Sequence, residues 1–311
     1  MSPSPPSLLP LFGARVLVTG ASGFLGRAAA QLLAEAGAEV HGTYLYRAPP
    51  AGLAAAWPAS LPDDAAELIG RLRPRYILHL AAPVQVDRRL DLYDRLRRGI
   101  LDATVAVCRS ALDVGARLVV AGTCEEYGDN PAPFAEDQPA APVSPYSALK
   151  AAATDWTLMA ARVAGLDATV VRPFRAYGPF DRSSVIAAAM EAALAGRPFP
   201  MTDGAQIREW NEVYALAEGL LWALVDPRCR GALLNLGGGP QASVRSVVEQ
   251  VFALCEADPA LIGVGALPRR AGEVPLFCAD PRRASALWGP LPNPPLDQGL
   301  AATVEWRRSQ P

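Results

Sequence analysis

The chain has little of what a metalloprotein or a disulfide-framed protein is built from. Only two histidines occur in 311 residues, so no histidine-built metal centre is expected. The five cysteines, at 108, 124, 229, 255 and 278, are odd in number, scattered and without a C-x-x-C pair. That argues against a disulfide framework or a zinc site and suits a reducing compartment. Charge is sparse at 19% and balanced, with 29 Lys plus Arg against 31 Asp plus Glu and a formal net charge of -2. A nucleic-acid partner needs a basic face, and the short run of Arg95, Arg97 and Arg98 reads as a solvated helix surface. No run of about 18 apolar residues suggests a membrane span. The proline-rich stretch 1–10 lacks the positive start and long apolar core of a secretion signal. The expectation is a cytoplasmic protein with no metal, no membrane partner, no nucleic-acid partner, and a frayed leader over residues 1–12.

What the chain does have is apolar mass, 51% of its residues, enough for a sizeable core. The apolar runs alternate in kind. Arg15–Thr19 reads as a buried parallel strand that halts at Gly20. Residues 24–36 read as a helix closed by Gly37, and Glu39–Tyr44 as the next strand. The pattern continues with a helix over 63–72, a strand over 76–80, a long helix over 91–114 and the strand Arg117–Ala121. A helix over 147–164 and a strand over 168–172 follow. Such alternation predicts an α/β fold, a Rossmann-type doubly wound parallel sheet covered on both faces. After Pro173 frequent prolines break the pattern, and helices are expected only at 183–195, 214–225 and 244–256. The expected organisation is a first domain over 13–174, to which 208–236 returns. A smaller, irregular second domain then comes from 175–207 and 237–311.

Between the first strand and helix lies TGASGFLG (19–26), with Gly20, Gly23 and Gly26 at G-x-x-G-x-x-G spacing. Glycine allows the tight turn, the approach of backbone to a pyrophosphate and close helix–strand packing. The helix N-terminus then offers unpaired N–H groups to the phosphates. In its strand–turn–helix context the motif points to a dinucleotide. The second strand ends in HGTYLYR (41–47), which lacks the acidic residue that would bind the adenosine ribose and carries Arg47 instead. An arginine there suits a 2′-phosphate, so NADP is expected, with NAD the alternative.

YSALK (146–150) places Tyr146 and Lys150 four apart at the start of a helix, on one face. An ammonium near a phenol favours the tyrosinate and lowers its pKa toward acid–base use. Upstream, Arg117–Ala121 runs into GTCEEYG (122–128), putting Thr123 at the carboxyl end of a parallel strand, where such sheets bind ligands.

Taken in order, the glycine motif, HLAA (79–82), Thr123 with Tyr127 and Gly128, SPY (144–146) with Lys150, and RPFRAYGP (172–179) resemble one family. It is the extended short-chain dehydrogenases, the NAD(P)-dependent epimerase/dehydratase family of nucleotide-sugar enzymes. The resemblance runs over about residues 15–307. It implies that Tyr146 exchanges a proton with the sugar oxygen, that Lys150 binds the nicotinamide ribose and tunes Tyr146, and that Thr123 holds the same sugar oxygen. Gly20, Ser22, Gly23, Phe24, Leu25 and Gly26 would cradle the pyrophosphate, while Leu80, Ala81, Ala82 and Pro173 would line the cofactor. Glu126 and Arg175 would contact substrate. Arg208 and Arg270, in RRAGEVP (269–275), would clamp its diphosphate, a dianion that two guanidiniums suit. The resemblance also implies a homodimer through a four-helix bundle, and 101–107 with 151–163 are apolar on more faces than one sheet covers.

The chain also departs from the family pattern. The usual Asn of the long helix is Arg98, the Asn of R-P-F-N is Arg175, and an Asp pair is replaced by Tyr214 and Ala215. Dehydratases similar to the dTDP-glucose type carry Thr-Asp-Glu where this chain has Thr123, Cys124 and Glu125, whereas GDP-mannose-type dehydratases and some decarboxylases carry Thr-Ser-Glu, so Glu125 keeps those readings open. GTCEEYG more closely resembles the corresponding segment of GDP-linked 4-keto-6-deoxyhexose reductases. The function expected is NADPH-dependent reduction at C4 of a nucleotide-linked 4-keto-6-deoxyhexose, with Glu125 beside the reacting sugar. The alternatives are a 4,6-dehydratase, 4-epimerase or decarboxylase with retained NAD(P), and a non-catalytic NADP-sensing protein.

Overall fold

The structure, a computed structural model, describes residues 3–47, 49, 51–269 and 274–310. Its centre is a seven-stranded, all-parallel sheet. Six strands come in chain order: β1 Arg15–Thr19, β2 Glu39–Tyr44, β3 Ala55–Pro58, β4 Tyr76–His79, β5 Arg117–Ala121 and β6 Ala168–Pro173. The seventh, Leu233–Leu236, pairs with β6. Across the sheet the order is Leu233–Leu236, β6, β5, β4, β1, β2, β3, so the direction of winding reverses between β1 and β4. That switch point is where open α/β sheets bind ligands.

Both faces of the sheet are covered, which is why its strands are continuous apolar runs rather than alternating ones. On one face lie α1 (Phe24–Glu35) and α7 (Val213–Val225), packed on Val16, Val18 and Val171. On the other lie α2 (Ala65–Leu72), α4 (Ala103–Val114) and α5 (Pro145–Ala164), packed on Leu17, Ile77 and Leu118. Arg117 ties the layers together. It is buried, and it donates to the carbonyls of Leu224 at 2.8 Å, Ala223 at 2.9 Å and Asp226 at 2.6 Å, pairing the open C-terminal end of α7.

A second cluster of apolar side chains unites α6 (Val185–Leu194), α8 (Val244–Leu254) and α10 (Leu296–Arg308) around Trp210, Tyr177 and Phe252. Beside it a small sheet joins Ile207–Glu209 to Gln241–Ser243 and Leu276–Phe277. Arg208 therefore belongs to this second unit, and the chain returns to the large sheet at Val213, later than the expected 208.

Other expectations need correction. The leader is not frayed over 9–11: Leu9–Leu11 is a 3₁₀ turn whose Leu11 is fully buried in the core beside α1 and α7. The single helix expected over 91–114 is α3 (Tyr93–Arg97), a π-helical turn Arg98–Asp102, and α4. A π turn holds one residue more than an α turn. The strand β3 and the helices α9 (Arg282–Trp288) and α10 went unread, because proline-flanked segments of mixed polarity carry no clean period.

Candidate active site

The glycine turn fits a dinucleotide at the level of single atoms. Gly20 has φ +72° and lies so close to β4's continuation that a Cβ would sit 2.9 Å from Ala81 Cα. A Cβ on Gly26 would sit 2.2 Å from the Gly20 carbonyl oxygen, so only glycine lets α1 rest on the turn. Gly23, the residue before α1, supplies no side-chain cap, and the first turn holds no acidic residue. The opening N–H groups of α1 are thus left to a ligand, and the helix dipole favours an anion there. Ser22, Phe24 and Leu25 are half-buried on this turn, and Leu80, Ala81 and Ala82 follow β4 on the neighbouring side of the switch point. Arg47 is exposed just beyond β2, and Pro173 ends β6, half-buried.

Beneath the turn runs a chain of buried hydrogen bonds centred on His79, a residue the sequence offered only as part of a motif. Thr104 Oγ1 gives its proton to the Ile100 carbonyl in the π turn at 2.7 Å, so it must accept from His79 Nε2, 3.2 Å away. His79 Nδ1 is then unprotonated and accepts from Thr19 Oγ1 at 2.7 Å, while Thr19 Oγ1 accepts from Ala81 N at 3.2 Å. The imidazole is held neutral. Burial, and then the Lys150 ammonium, lower its pKa to about 3. The relay fixes the segment of Leu80, Ala81 and Ala82 against the end of β1.

Thr123, Tyr146 and Lys150, the residues expected to act together, lie about the carboxyl end of β5. Thr123 adopts extended backbone and caps the short turn Cys124–Tyr127, its Oγ1 accepting from Glu125 N at 3.3 Å. Ser144 and Ser147 cap α5 reciprocally and Pro145 starts it, two residues earlier than expected, which still leaves Tyr146 and Lys150 on one face. Tyr146 and Lys150 are both buried. Lys150 Nζ donates to the Ala121 carbonyl at 2.8 Å. Burial lowers the ammonium's pKa to about 8, against the opposing pull of Glu126.

The phenol of Tyr146 differs from the expectation. Burial drives its pKa well above the ordinary value, a hydrogen bond with Thr123 draws it back, and Cys124, Glu125 and Glu126 add to the rise. Lys150 Nζ gives one of its three protons to the backbone of β5.

Glu126 does not face the substrate. It is fully buried, and Gly122 leaves just enough room for it, since a Cβ there would come within 2.6 Å of Glu126 Oε1. Oε2 accepts from Arg172 Nε at 2.9 Å and Nη2 at 2.7 Å, and Oε1 accepts from Thr123 N at 2.8 Å and Thr154 Oγ1 at 3.2 Å. The 3₁₀ turn points it inward, so it positions Thr123. Its neighbour Glu125 remains partly exposed. Cys124 is buried, and burial, followed by the Glu125 charge, pushes its thiol pKa far up.

Arg175 is half-buried beside the Trp210 ring, 6.0 Å from its centroid, and its charge reaches Cys124. Its Nε is buried without a hydrogen-bond partner among the described residues. Arg208 is buried, with Nη1 donating to the carbonyls of Ile207 at 2.8 Å and Val274 at 3.0 Å. Arg270 lies outside the described residues. Arg98 stands away from the cleft, exposed and paired with Asp63. The missing Asp pair has a replacement that the sequence did not reveal. Glu212 caps α7, its carboxylate accepting from Tyr214 N at 2.7 Å and Ala215 N at 3.2 Å.

A glycine turn at the switch point of a parallel sheet, with a Thr–Tyr–Lys group at the end of β5, defines a Rossmann-fold enzyme of the extended short-chain dehydrogenase type. Residues 16–237 match the model of the NAD dependent epimerase/dehydratase family, and the chain belongs to that family. It is 31% identical to the UDP-glucose 4-epimerase of Mycolicibacterium smegmatis, over 95% of this chain and 99% of that protein. It is 30% identical to the dTDP-glucose 4,6-dehydratase of Streptomyces griseus, over 94% and 93% of the two chains. Among solved structures, DesIV, a dTDP-glucose 4,6-dehydratase from Streptomyces venezuelae with NAD bound, superposes with a TM-score of 0.85 at 28% identity, covering 95% of this chain and 97% of that one. Among the described residues no helix is long and apolar enough to cross a membrane.

Proposed function

We propose that the protein reduces the C4 ketone of a nucleotide-linked 4-keto-6-deoxyhexose, with NADPH as the reductant. Cys124 carries this reading. It stands where dehydratases similar to the dTDP-glucose type place an aspartic acid, and its buried thiol, with its pKa pushed up, is no substitute for a carboxylic acid. Glu125 is then left without the acid that would help to expel water. Chemistry at C4 needs no such acid, while Glu125 keeps a dehydratase or decarboxylase of the Thr-Ser-Glu kind as an alternative.

A bound nicotinamide supplies the hydride. Tyr146 gives its phenolic proton to the C4 oxygen as the ketone becomes an alcohol. The raised phenol pKa keeps that proton in place until the oxygen gains charge. Thr123 Oγ1 accepts from Glu125 N, and its one proton, turned toward the phenol in the free protein, would turn to the same sugar oxygen when substrate binds. Lys150, anchored on Ala121, would bind the nicotinamide ribose through its remaining donors. Arg175 and Arg208, with Arg270, hold the substrate's diphosphate, and Arg47 favours the 2′-phosphorylated cofactor. The enzyme works as a homodimer: α4 and α5 pack side by side and leave Leu112, Trp156 and Val163 exposed for a second copy.

A second reading, 4-epimerisation with a retained cofactor, is favoured by the 31% identity to an epimerase across 95% of the chain. The test offers UDP-, dTDP- and GDP-linked 4-keto-6-deoxyhexoses with NADPH and follows loss of reduced-nicotinamide absorbance. Glu125→Gln retains much of that rate if the enzyme is a reductase. Solvent deuterium entering C5 with water released and no NADPH consumed overturns the reading in favour of a dehydratase. Interconversion of C4 epimers without added NADPH establishes the epimerase.

A further inference from the structure

Three arginines from different parts of the chain come within electrostatic reach of one another beside the glycine turn. Arg27 follows the turn directly, on α1, its Nε donating to the Ser22 carbonyl at 3.1 Å. Arg47 lies three residues past β2, and the end of β2 is tied to the turn. Gly20 N donates to Thr43 Oγ1 at 3.2 Å, and Ala21 N donates to the Thr43 carbonyl at 2.9 Å. The third, Arg182, comes from the loop after β6, on the side of the second unit.

That loop is fixed in an unusual shape. Phe180 has φ +75°, a conformation that a bulky side chain rarely adopts and that clusters at functional sites. Its ring lies under Arg27, 5.9 Å from the guanidinium, and meets the ring of Trp306 in α10 edge-on at 5.2 Å. Asp181 closes the turn, its Oδ1 accepting from Ser183 N and Ser184 N, both at 3.1 Å. The loop is therefore held from both sides, and Arg182 projects from it, exposed. The crowding of charge is felt at Arg27, whose pKa is lowered by burial and then by Arg182 and Arg47. Like charges within reach of Arg27 repel it, and a phosphate, with its multiple charge and several acceptor oxygens, would relieve that repulsion. The uncapped N-terminus of α1 adds its dipole in the same place.

We propose that Arg27, Arg47 and Arg182 form a phosphate cradle for the dinucleotide, with Arg182 the residue by which the second unit grips the cofactor. The inference rests on the reading that the glycine turn binds a nicotinamide dinucleotide, and it adds two residues that the motif does not contain. The phosphate held is either the pyrophosphate or the ribose 2′-phosphate, and two small probes tell them apart.

Calorimetric titration of the full chain with ADP and with 2′,5′-ADP is compared for wild type, Arg182→Ala and Arg182→Lys. Loss of one charge-assisted contact weakens the affected probe by about tenfold or more. Loss confined to 2′,5′-ADP places the 2′-phosphate in the cradle, and loss with ADP places the pyrophosphate there. Arg182→Lys recovers part of the affinity. Affinities for both probes within about twofold of wild type in Arg182→Ala overturn the cradle; the exposed position of Arg182 leaves the fold intact, which an unchanged melting curve verifies. The cofactor reading fails separately. A wild type that prefers NADH refutes the NADPH assignment and leaves the pyrophosphate arm standing, and a wild type that binds neither dinucleotide refutes the dinucleotide reading itself.

Discussion

Lys150 Nζ donates to the carbonyl oxygen of Ala121 at 2.8 Å, so the ammonium four residues after Tyr146 is anchored to the last residue of β5. The anchor takes a charge into the interior, and burial lowers its pKa to about 8. The ammonium is complete below that pH and is lost as pH rises through it. In the free enzyme kcat/KM should therefore fall on the alkaline side with an apparent pKa near 8. Lys150→Arg keeps the charge at every accessible pH and should remove that alkaline limb, even at low residual activity. An unchanged limb in the variant would assign it to another group.

Tyr146→Phe should preserve the fold and cofactor binding, because the ring fills the same buried space between α5 and Leu96. Without the phenolic proton kcat should drop by at least about 10²-fold, the lower range for a lost general acid. Single-turnover kinetics with NADPH would check this. A smaller drop would mean that water or Thr123 supplies the proton.

Glu126→Gln separates a positioning role from a substrate contact. The change leaves the Arg172 guanidinium buried against an uncharged amide, and breaking a buried ion pair costs on the order of 3 kcal/mol. Urea unfolding should show that loss, and kcat should fall as Thr123 loses its fixed backbone. KM for the sugar nucleotide should stay near the wild-type value. A raised KM at unchanged stability would return Glu126 to the sugar.

Periodicity carried much of this molecule. The strands β1, β2 and β5 and the glycine turn were legible because buried parallel strands are continuous apolar runs and because Gly20 and Gly26 have no room for a Cβ. The roles of neighbouring residues were not. Glu125 and Glu126 are indistinguishable in sequence, and only the 3₁₀ turn sends one to Arg172 and leaves the other in the cleft. The spacing brings Lys150 and Tyr146 to one face, but spacing cannot show that the Ala121 carbonyl takes one of the ammonium's protons. Arg27 did carry a signal, being the residue directly after Gly26, whereas Arg182 is brought to it by a turn of the chain that no local pattern encodes.

His79 makes the fold sensitive to acid. Its folded pKa of about 3 lies below the ordinary 6.5, so between those values the unfolded chain binds the extra proton. The stability this residue contributes is present above pH 6.5 and is lost progressively as pH falls toward 3. At about pH 5 the loss amounts to roughly 2 kcal/mol from this group alone. The first structure to open should be the relay itself, because a protonated Nδ1 can no longer accept from Thr19, and Thr19 also holds Ala81 N. Dinucleotide affinity should weaken over the same range. His79→Gln cannot titrate, so the variant should be less stable than wild type at neutral pH but should lose less between about pH 7 and about pH 5. Urea midpoints for both proteins at the two pH values measure the difference. Equal losses in wild type and variant would show that the acid sensitivity arises elsewhere.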